Sequence, residues 1–390
     1  MVDAGGAVTR NKRRIAYLTG TRADFGLMAG TLESLHRHEN TEVALLVTGM
    51  HLSEQFGLTV REVEALGLPV AARIPINVDD RSPLAMAQAV GQTVTGAAAA
   101  LEELRPDLLL VLGDRGEMLA AAIAALYLGI PIAHLHGGER SGTVDEPIRH
   151  AITKLSHVHL VATEESRDRV VRMGEPAQNV FVVGAPSLDE VLSRPDTPRR
   201  QVLDRLGLAQ GTRYAVVLFH PVVQERLQVE NQVQALLDAL RAQVLAAGLD
   251  VVWLAPNADA GSAAIVDVMG RAEGSRIRAI THLPRAEYLD ALACADVLVG
   301  NSSSGIIEAA SLGTPVVNIG TRQQLRQRNA NTRDCAADAD SIGRALAAAL
   351  AGGRFTPVNV YGDGRSGERI ARLLATLALP RSLLDKSNAY

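Results

Sequence analysis

Three histidines and three carboxylates stand within residues 134–150: His134, His136 and His150, with Glu139, Asp145 and Glu146. Groups of this kind, crowded this closely, shift one another's ionisation and can serve as general acids and bases. Gly137 and Gly138 lie among them and let the backbone turn sharply. Strand alternation puts His134 and His136 on one face. Another acid, Asp114, stands beside Arg115 in the run Gly113-Asp114-Arg115-Gly116-Glu117. Adjacent side chains point in different directions, so one is available for chemistry and the other for ligand charge; capping of a helix by Asp114 is the plain alternative. A metal reading would draw on His157 and His159. They fall on a later strand with no carboxylate beside them in the sequence, and serve equally as packed strand residues.

The second half of the chain carries a different chemistry. Gly300-Asn301-Ser302-Ser303-Ser304-Gly305 follows an apolar run and opens a helix. A helix start offers backbone N–H groups and partial positive charge to an anion. Serine hydroxyls add donors, and Glu308, about one turn in, is placed to accept from a sugar hydroxyl. This reads as a cradle for a diphosphate and ribose; an N-capped helix without a ligand is the alternative. His220 in Phe219-His220-Pro221, Asn257, His282 and Arg322 in Gly320-Thr321-Arg322-Gln323 all end apolar runs, and so does Arg22 in Thr19-Gly20-Thr21-Arg22. An arginine so placed can grip a phosphate through two N–H groups.

These residues need a scaffold that collects strand ends. Apolar runs at 14–19, 42–48, 107–112, 130–135, 157–162 and 180–183 alternate with helical patterns near 25–38, 53–65, 83–104, 117–128, 148–155 and 164–173. The alternation resumes with strands at 214–219, 250–255, 276–280, 297–299 and 316–319. Helical patterns lie near 229–247, 263–271, 285–293, 305–312 and 341–350. Continuous apolar strands between helices mean parallel sheets covered on both faces. The charged, proline-containing run 194–200 reads as a linker. The expected units are residues 13–193, residues 201–366, and a C-terminal helix over 367–387 that packs back on the first unit. Residues 1–12 and the end after Ser387 read as mobile.

Composition narrows the function. The chain of 390 residues is long enough for two cores, and its 47% apolar content can fill them. A net charge of −4 argues against nucleic-acid binding, so an anionic ligand must be held by local positive charge. The two cysteines fit no metal spacing and suggest a reducing compartment. The N-terminus shows no leader pattern, and the apolar run 118–133 is too short and broken to span a bilayer. The expectation is a cytoplasmic protein.

In order, the motifs resemble the hydrolysing UDP-N-acetylglucosamine 2-epimerases, which include the bacterial sialic-acid pathway enzymes and the epimerase half of the bifunctional animal enzyme. They are Thr-Gly-Thr-Arg-Ala-Asp (19–24), Gly-Asp-Arg (113–115), Gly-Gly-Glu (137–139), Asp-Glu-x-x-Arg-His-x-Ile-Thr-Lys (145–154), His-Pro (220–221), Asn-Ala-Asp-Ala-Gly-Ser (257–262), Gly-Asn-Ser-Ser-Ser-Gly (300–305) and Gly-Thr-Arg-Gln (320–323). Each is weak alone; the ordered set spans nearly the whole chain. The resemblance implies an α/β protein of GT-B architecture, two Rossmann-like parallel-sheet lobes facing across a cleft that takes a UDP-sugar. It implies elimination of UDP to a 2-acetamidoglucal, then hydration with inversion at C2 to N-acetylmannosamine, with no cofactor and no metal. It carries catalytic roles onto Asp114, His136, Glu139, Asp145, Glu146 and His220, with Asp114 and Glu146 as the favoured proton-handling pair. It carries substrate contacts onto Arg22, Arg115, Asn257, His282, Ser302, Ser303, Glu308 and Arg322. Many members have Glu at the place of His136 and Asp at the place of Glu146; others share the form seen here. The same chemistry on UDP-2,4-diacetamido-2,4,6-trideoxyglucose is the alternative, ahead of a non-hydrolysing epimerase or a GT-B glycosyltransferase. Family members are commonly homodimers or homotetramers.

Overall fold

A computed structural model describes residues 12–389 apart from 81, 142–144, 257–260, 275 and 282. The first half supplies β1 (Arg13–Thr19), β2 (Thr41–Thr48), β3 (Val70–Ile74), β4 (Leu108–Leu112), β5 (Ile132–Leu135), β6 (Val158–Val161) and β7 (Val180–Val182). They form one parallel sheet in the order β3-β2-β1-β4-β5-β6-β7. The second half supplies β8 (Tyr214–Leu218), β9 (Asp250–Leu254), β10 (Ile277–Ile280), β11 (Val297–Gly300), β12 (Val316–Ile319) and β13 (Thr332–Cys335). Their order is β10-β9-β8-β11-β12-β13, again parallel. This is the α/β, GT-B arrangement.

Interior strands are the continuous apolar runs. Leu108–Leu112 is buried along its whole length, and Tyr17 stands in register with Leu45 on one side and Leu110 on the other. Both faces must then be covered, and crossover helices do so. Two strands escape sequence reading, β3 and β13, and both are sheet edges. Apart from Ile74, their residues are half-buried or exposed, so neither needs an apolar run.

Helices differ from expectation in informative places. The 53–65 segment holds one short 3-10 turn, Glu54–Phe56, before a helix confined to Val60–Ala65. The helix after β11 covers only Ser303–Ile307, with Glu308 at its C-cap. The expected linker is short, because Arg199 already opens a helix, Arg199–Arg205. Arg194 at its start is tied to Asp290 at 3.1 Å, and Arg199 to Asp296 at 2.9 Å. The helix Ser366–Thr376 lays Ile370, Ala371 and Leu374 against Tyr17, Phe25, Met28 and Leu32 of the first core. Fully burying such side chains is worth about 1.5–3 kcal/mol each. The end after Ser387 is not loose: Asn388 accepts from Lys154 Nζ at 2.7 Å, and the Ala389 amide donates to Gly174 O at 2.8 Å.

In both sheets the strand order reverses beside the first strand of the lobe, between β1 and β4 and between β8 and β11. Ligands of open parallel sheets settle at the carboxyl ends of the strands flanking such a reversal. Gly20, Gly113 and Asn301 directly follow β1, β4 and β11, and His220 follows β8 after Phe219. Among the described residues, no helix is long and apolar enough to cross a membrane.

Candidate active site

On the first lobe the site begins at the end of β1. Asp24 is buried and accepts from the backbone amides of Gly20 at 3.1 Å and Thr21 at 2.8 Å, and from the Thr19 and Thr21 hydroxyls. Burial raises its carboxyl to about 6, against the pull of those hydrogen bonds. Its partner Thr19 is held in turn by His51 Nε2 at 3.0 Å. This network shapes the 19–24 turn and the start of the Arg22–Arg37 helix. Arg22 itself pairs with Glu62 at 3.2 Å.

At the end of β4, Asp114 and Arg115 diverge. Arg115 turns to Glu117 at 3.3 Å. Asp114 binds Arg149, a guanidinium only 1% exposed on the Asp145–Leu155 helix. Burial would raise the Asp114 carboxyl, but Arg149 and Arg326 outweigh it and the net direction is down. Asp114 is therefore an ionised carboxylate at neutral pH.

The strand β5 stops at Leu135, so alternation does not carry on to His136. His134 is wholly buried, with Nε2 2.7 Å from Gly113 O and Nδ1 3.1 Å from Thr153 Oγ1. A carbonyl can only accept, so Nε2 carries the proton, and Nδ1 shares the one proton of the Thr153 hydroxyl with Arg149 O, 3.0 Å from that hydroxyl. Burial brings this imidazole down to about 3, which keeps it neutral. His136 instead takes a left-handed backbone, φ 60°, rare for a residue with a side chain. Such a conformation costs of order 1–3 kcal/mol and persists where the surroundings enforce it. Here Nδ1 of His136 binds Glu139. Gly138 is required for the same turn: its φ is +76°, and a Cβ there would lie 2.4 Å from Ser166 O.

Glu139 is 3% exposed and makes an ion pair of 2.7 Å with Arg326 of the second lobe. Burial alone would raise its carboxyl; Arg326 and His136 override that and drive it far below the ordinary range. Arg326 also acts electrostatically on Asp114 and Asp145. The carboxyl ends of the two sheets thus face one another, with this guanidinium between them. Glu146, one residue beyond Asp145, accepts from the Ser141 amide at 2.8 Å and lies 3.6 Å from His150.

On the second lobe, Asn301 ties the strand ends together. It accepts from the His220 amide at 2.7 Å and donates to His220 O at 2.8 Å. Arg322 and Gln323 both donate to its carbonyl, at 3.1 and 3.2 Å. Gly300 makes room for this junction: its φ is +144°, and a Cβ would fall 2.0 Å from Leu218 O. Burial and the Arg322 charge hold the His220 imidazole well below its usual value, so it is neutral. Ser302 caps the short helix through the Ser304 amide, and Ser304 Oγ meets Tyr288 OH at 2.5 Å. Glu308 is buried in a two-pronged pair with Arg285, at 2.7 and 3.1 Å. Asn257 and His282 lie outside the described residues.

Sequence reading missed two residues of this centre. Arg149 was visible as the residue one helical turn after Asp145, the position that faces the same way. Arg326 lies in Gln324-Leu325-Arg326-Gln327-Arg328, which reads as a solvated basic run. The metal alternative at His157 and His159 resolves into structure: His157 Nδ1 accepts from the Ile132 amide at 3.1 Å, and His159 binds Glu175, distant in sequence, at 2.9 Å.

A family profile for UDP-N-acetylglucosamine 2-epimerase matches residues 33–375. The chain is 45% identical over 379 residues to a UDP-N,N'-diacetylbacillosamine 2-epimerase (hydrolyzing) from Legionella pneumophila, covering 97% of this chain and 100% of the relative. It is 32% identical over 365 residues to a UDP-N-acetylglucosamine 2-epimerase from Neisseria meningitidis, covering 93% and 95%. In fold it resembles the crystal structure of a Neisseria meningitidis UDP-GlcNAc 2-epimerase bound to UDP-GlcNAc. The TM-score is 0.77 with 17% identity, over 93% of this chain and 99% of that one.

Proposed function

The chain belongs to the UDP-N-acetylglucosamine 2-epimerase family, and from that premise we propose that it hydrolyses a UDP-2-acetamido sugar with inversion at C2. UDP-N,N'-diacetylbacillosamine, a 2,4-diacetamido-2,4,6-trideoxy sugar, is the favoured substrate. The support is the 45% identity to the Legionella pneumophila enzyme over the full length of both chains. UDP-GlcNAc is the second reading, supported by the 32% identity to the Neisseria meningitidis enzyme.

The observation that carries the chemistry is the opposition of two carboxylates held ionised on one lobe, the half-buried Asp114 and the buried Glu139, to His220 with Arg322 on the other. A carboxylate takes the C2 proton while the C1–O bond breaks, its electron pair leaving on the diphosphate. The product is the 2-acetamidoglucal and UDP. Water then adds its oxygen to C1 and gives up one proton to a carboxylate, while an acid returns a proton to the opposite face of C2. Asp114 and Glu146 are the proposed pair, one to each face. Glu139, steered by His136 and Arg326, and Asp145 complete the acidic wall. His220 and Arg322 face the charge that grows on the diphosphate, where donors favour the transition state. Arg115, Arg22, Ser302, Ser303 and Glu308 hold the rest of the nucleotide sugar, with Asn257 and His282 as further candidates.

A homo-oligomer completes this reading. The helix Pro83–Leu104 carries no charged residue before Glu102, and it exposes Leu84 and Met86. The neighbouring helix Gly116–Tyr127 exposes Leu126 and Tyr127. Light scattering of the purified chain checks it; a monomer at micromolar concentration rejects it.

The function is tested by proton NMR in D2O with each UDP-sugar alone. The expected result is free UDP, a free sugar of inverted C2 configuration, and deuterium at that carbon. Intact substrates, UDP retained on the epimerised sugar, or release that requires an acceptor would each overturn it.

A further inference from the structure

The helix that carries Asp145, Glu146 and Arg149 ends at Leu155, and its far end is held by the C-terminal tail. The last carbonyls of a helix lack partners within it. Here the three N–H groups of Lys386 Nζ are shared among Thr153 O at 3.2 Å, Lys154 O at 2.6 Å, Ser156 O at 2.5 Å and the Glu175 carboxylate. A cation at a helix C-terminus also opposes the negative end of its dipole. The same ammonium lies 2.8 Å from Glu175, a carboxylate 1% exposed. Glu175 gathers the region: Lys154 of the helix reaches it at 2.6 Å and His159 of β6 at 2.9 Å. A buried carboxylate needs such partners, because an unpaired charge in the interior is costly. The tail is pinned on both sides of this contact, by Leu383 against the first core and by the Ala389 amide on Gly174 O.

The clasped turn leads directly to the chemistry. Thr153, whose carbonyl Lys386 caps, presents its hydroxyl to His134; His134 donates to Gly113 O, and the next residue is Asp114. One turn back along the helix, Arg149 grips Asp114 itself. We propose that Lys386 is a positioning residue for the reaction: the tail fixes the Asp145–Leu155 helix along its axis, and so sets Arg149 and His134 against Asp114. This rests on the catalytic reading of Asp114 above, and it extends the working protein to its last residues.

The test uses the full chain with Lys386→Met, Lys386→Arg and, as a control in the exposed tail, Ser387→Ala. Lys386→Met is expected to lower kcat at least ten-fold while inhibition by UDP, which the second lobe binds, stays within two-fold of the native value. Lys386→Arg, which restores a cation and several donors, is expected to return kcat to within about three-fold of the native value. Ser387→Ala is expected to match the native chain. Native kcat in Lys386→Met overturns the proposal, and so does a kcat loss matched by an equal loss of UDP affinity or left unrelieved by arginine. Amide hydrogen exchange gives a readout free of activity. In Lys386→Met, or in the milder Lys386→Gln if the former does not fold, residues 146–155 should exchange at least ten-fold faster while β1 stays protected. Unchanged exchange there also overturns the proposal. Failure of the function itself looks different, because the native chain would then turn over neither sugar.

Discussion

The two lobes place the same topological feature, a reversal of strand order, at the mouth of one cleft, and fill it with opposite chemistry. In the first lobe the strand ends carry acids, each answered by an arginine: Asp114 by Arg149 and Glu139 by Arg326, with His136 also bonded to Glu139. In the second they carry His220, Asn301, Ser302 and Arg322, with Asn301 joining His220 and Arg322. The fold provides a place where side chains converge, and residue type decides whether that place handles protons or holds an anion. Arg326 belongs to the donor lobe by sequence and to the acid lobe by contact, which couples the two.

The sharpest way to break this contrast is Asp114→Asn. It removes an acid–base group from the first lobe only, so turnover should fall about a hundred- to ten-thousand-fold while UDP affinity holds. Full activity would remove Asp114 from the chemistry.

Arg326→Ala probes the coupling. Without that charge the buried Glu139 carboxyl should rise, and the acid limb of the kcat/KM profile should move to higher pH by about 1–3 units. A profile lowered everywhere but not displaced would show that Arg326 only holds the lobes together.

Arg322→Ala addresses the other side. UDP binding should weaken by about 1.5–3 kcal/mol, the scale for a lost charged hydrogen-bond partner, with its proton-handling step intact. Unchanged affinity in titration calorimetry would take Arg322 out of the anion site.

The smallest effect concerns stability. The hydrogen bonds of Glu175 with His159, Lys154 and Lys386 overcome burial and hold its carboxyl near 2, below its unfolded value of 4.5. A depressed carboxyl stabilises the fold above pH 4.5, and that contribution fades as pH falls from there toward about 2. Melts of Glu175→Gln should lose this part of the pH dependence; parallel curves for both proteins would refute it.

Much of the architecture was legible from one signal, the apolar run bounded by glycine or polar residues. It located the interior strands, and the glycine-rich runs after them fall at the carboxyl ends of those strands. Edge strands β3 and β13 were silent because half their residues face solvent. The five-residue helix after β11 was overextended in the reading, since Ala309, Ala310 and Leu312 are as apolar in a buried turn as in a helix.

The sequence by itself determined which chemistry is present: acids and histidines in 114–150, donors in 220–323, and glycines where backbones must come close. It did so because residue type and local spacing are local properties. Only the tertiary structure decided which cation answers which acid. Arg149 meets Asp114 across 35 residues, Arg326 meets Glu139 across the cleft, and Lys386 meets Glu175 from the far end of the chain. Those pairings depend on where strands and helices pack in three dimensions, and an isolated run of basic residues looks the same whether it meets water or a buried carboxylate.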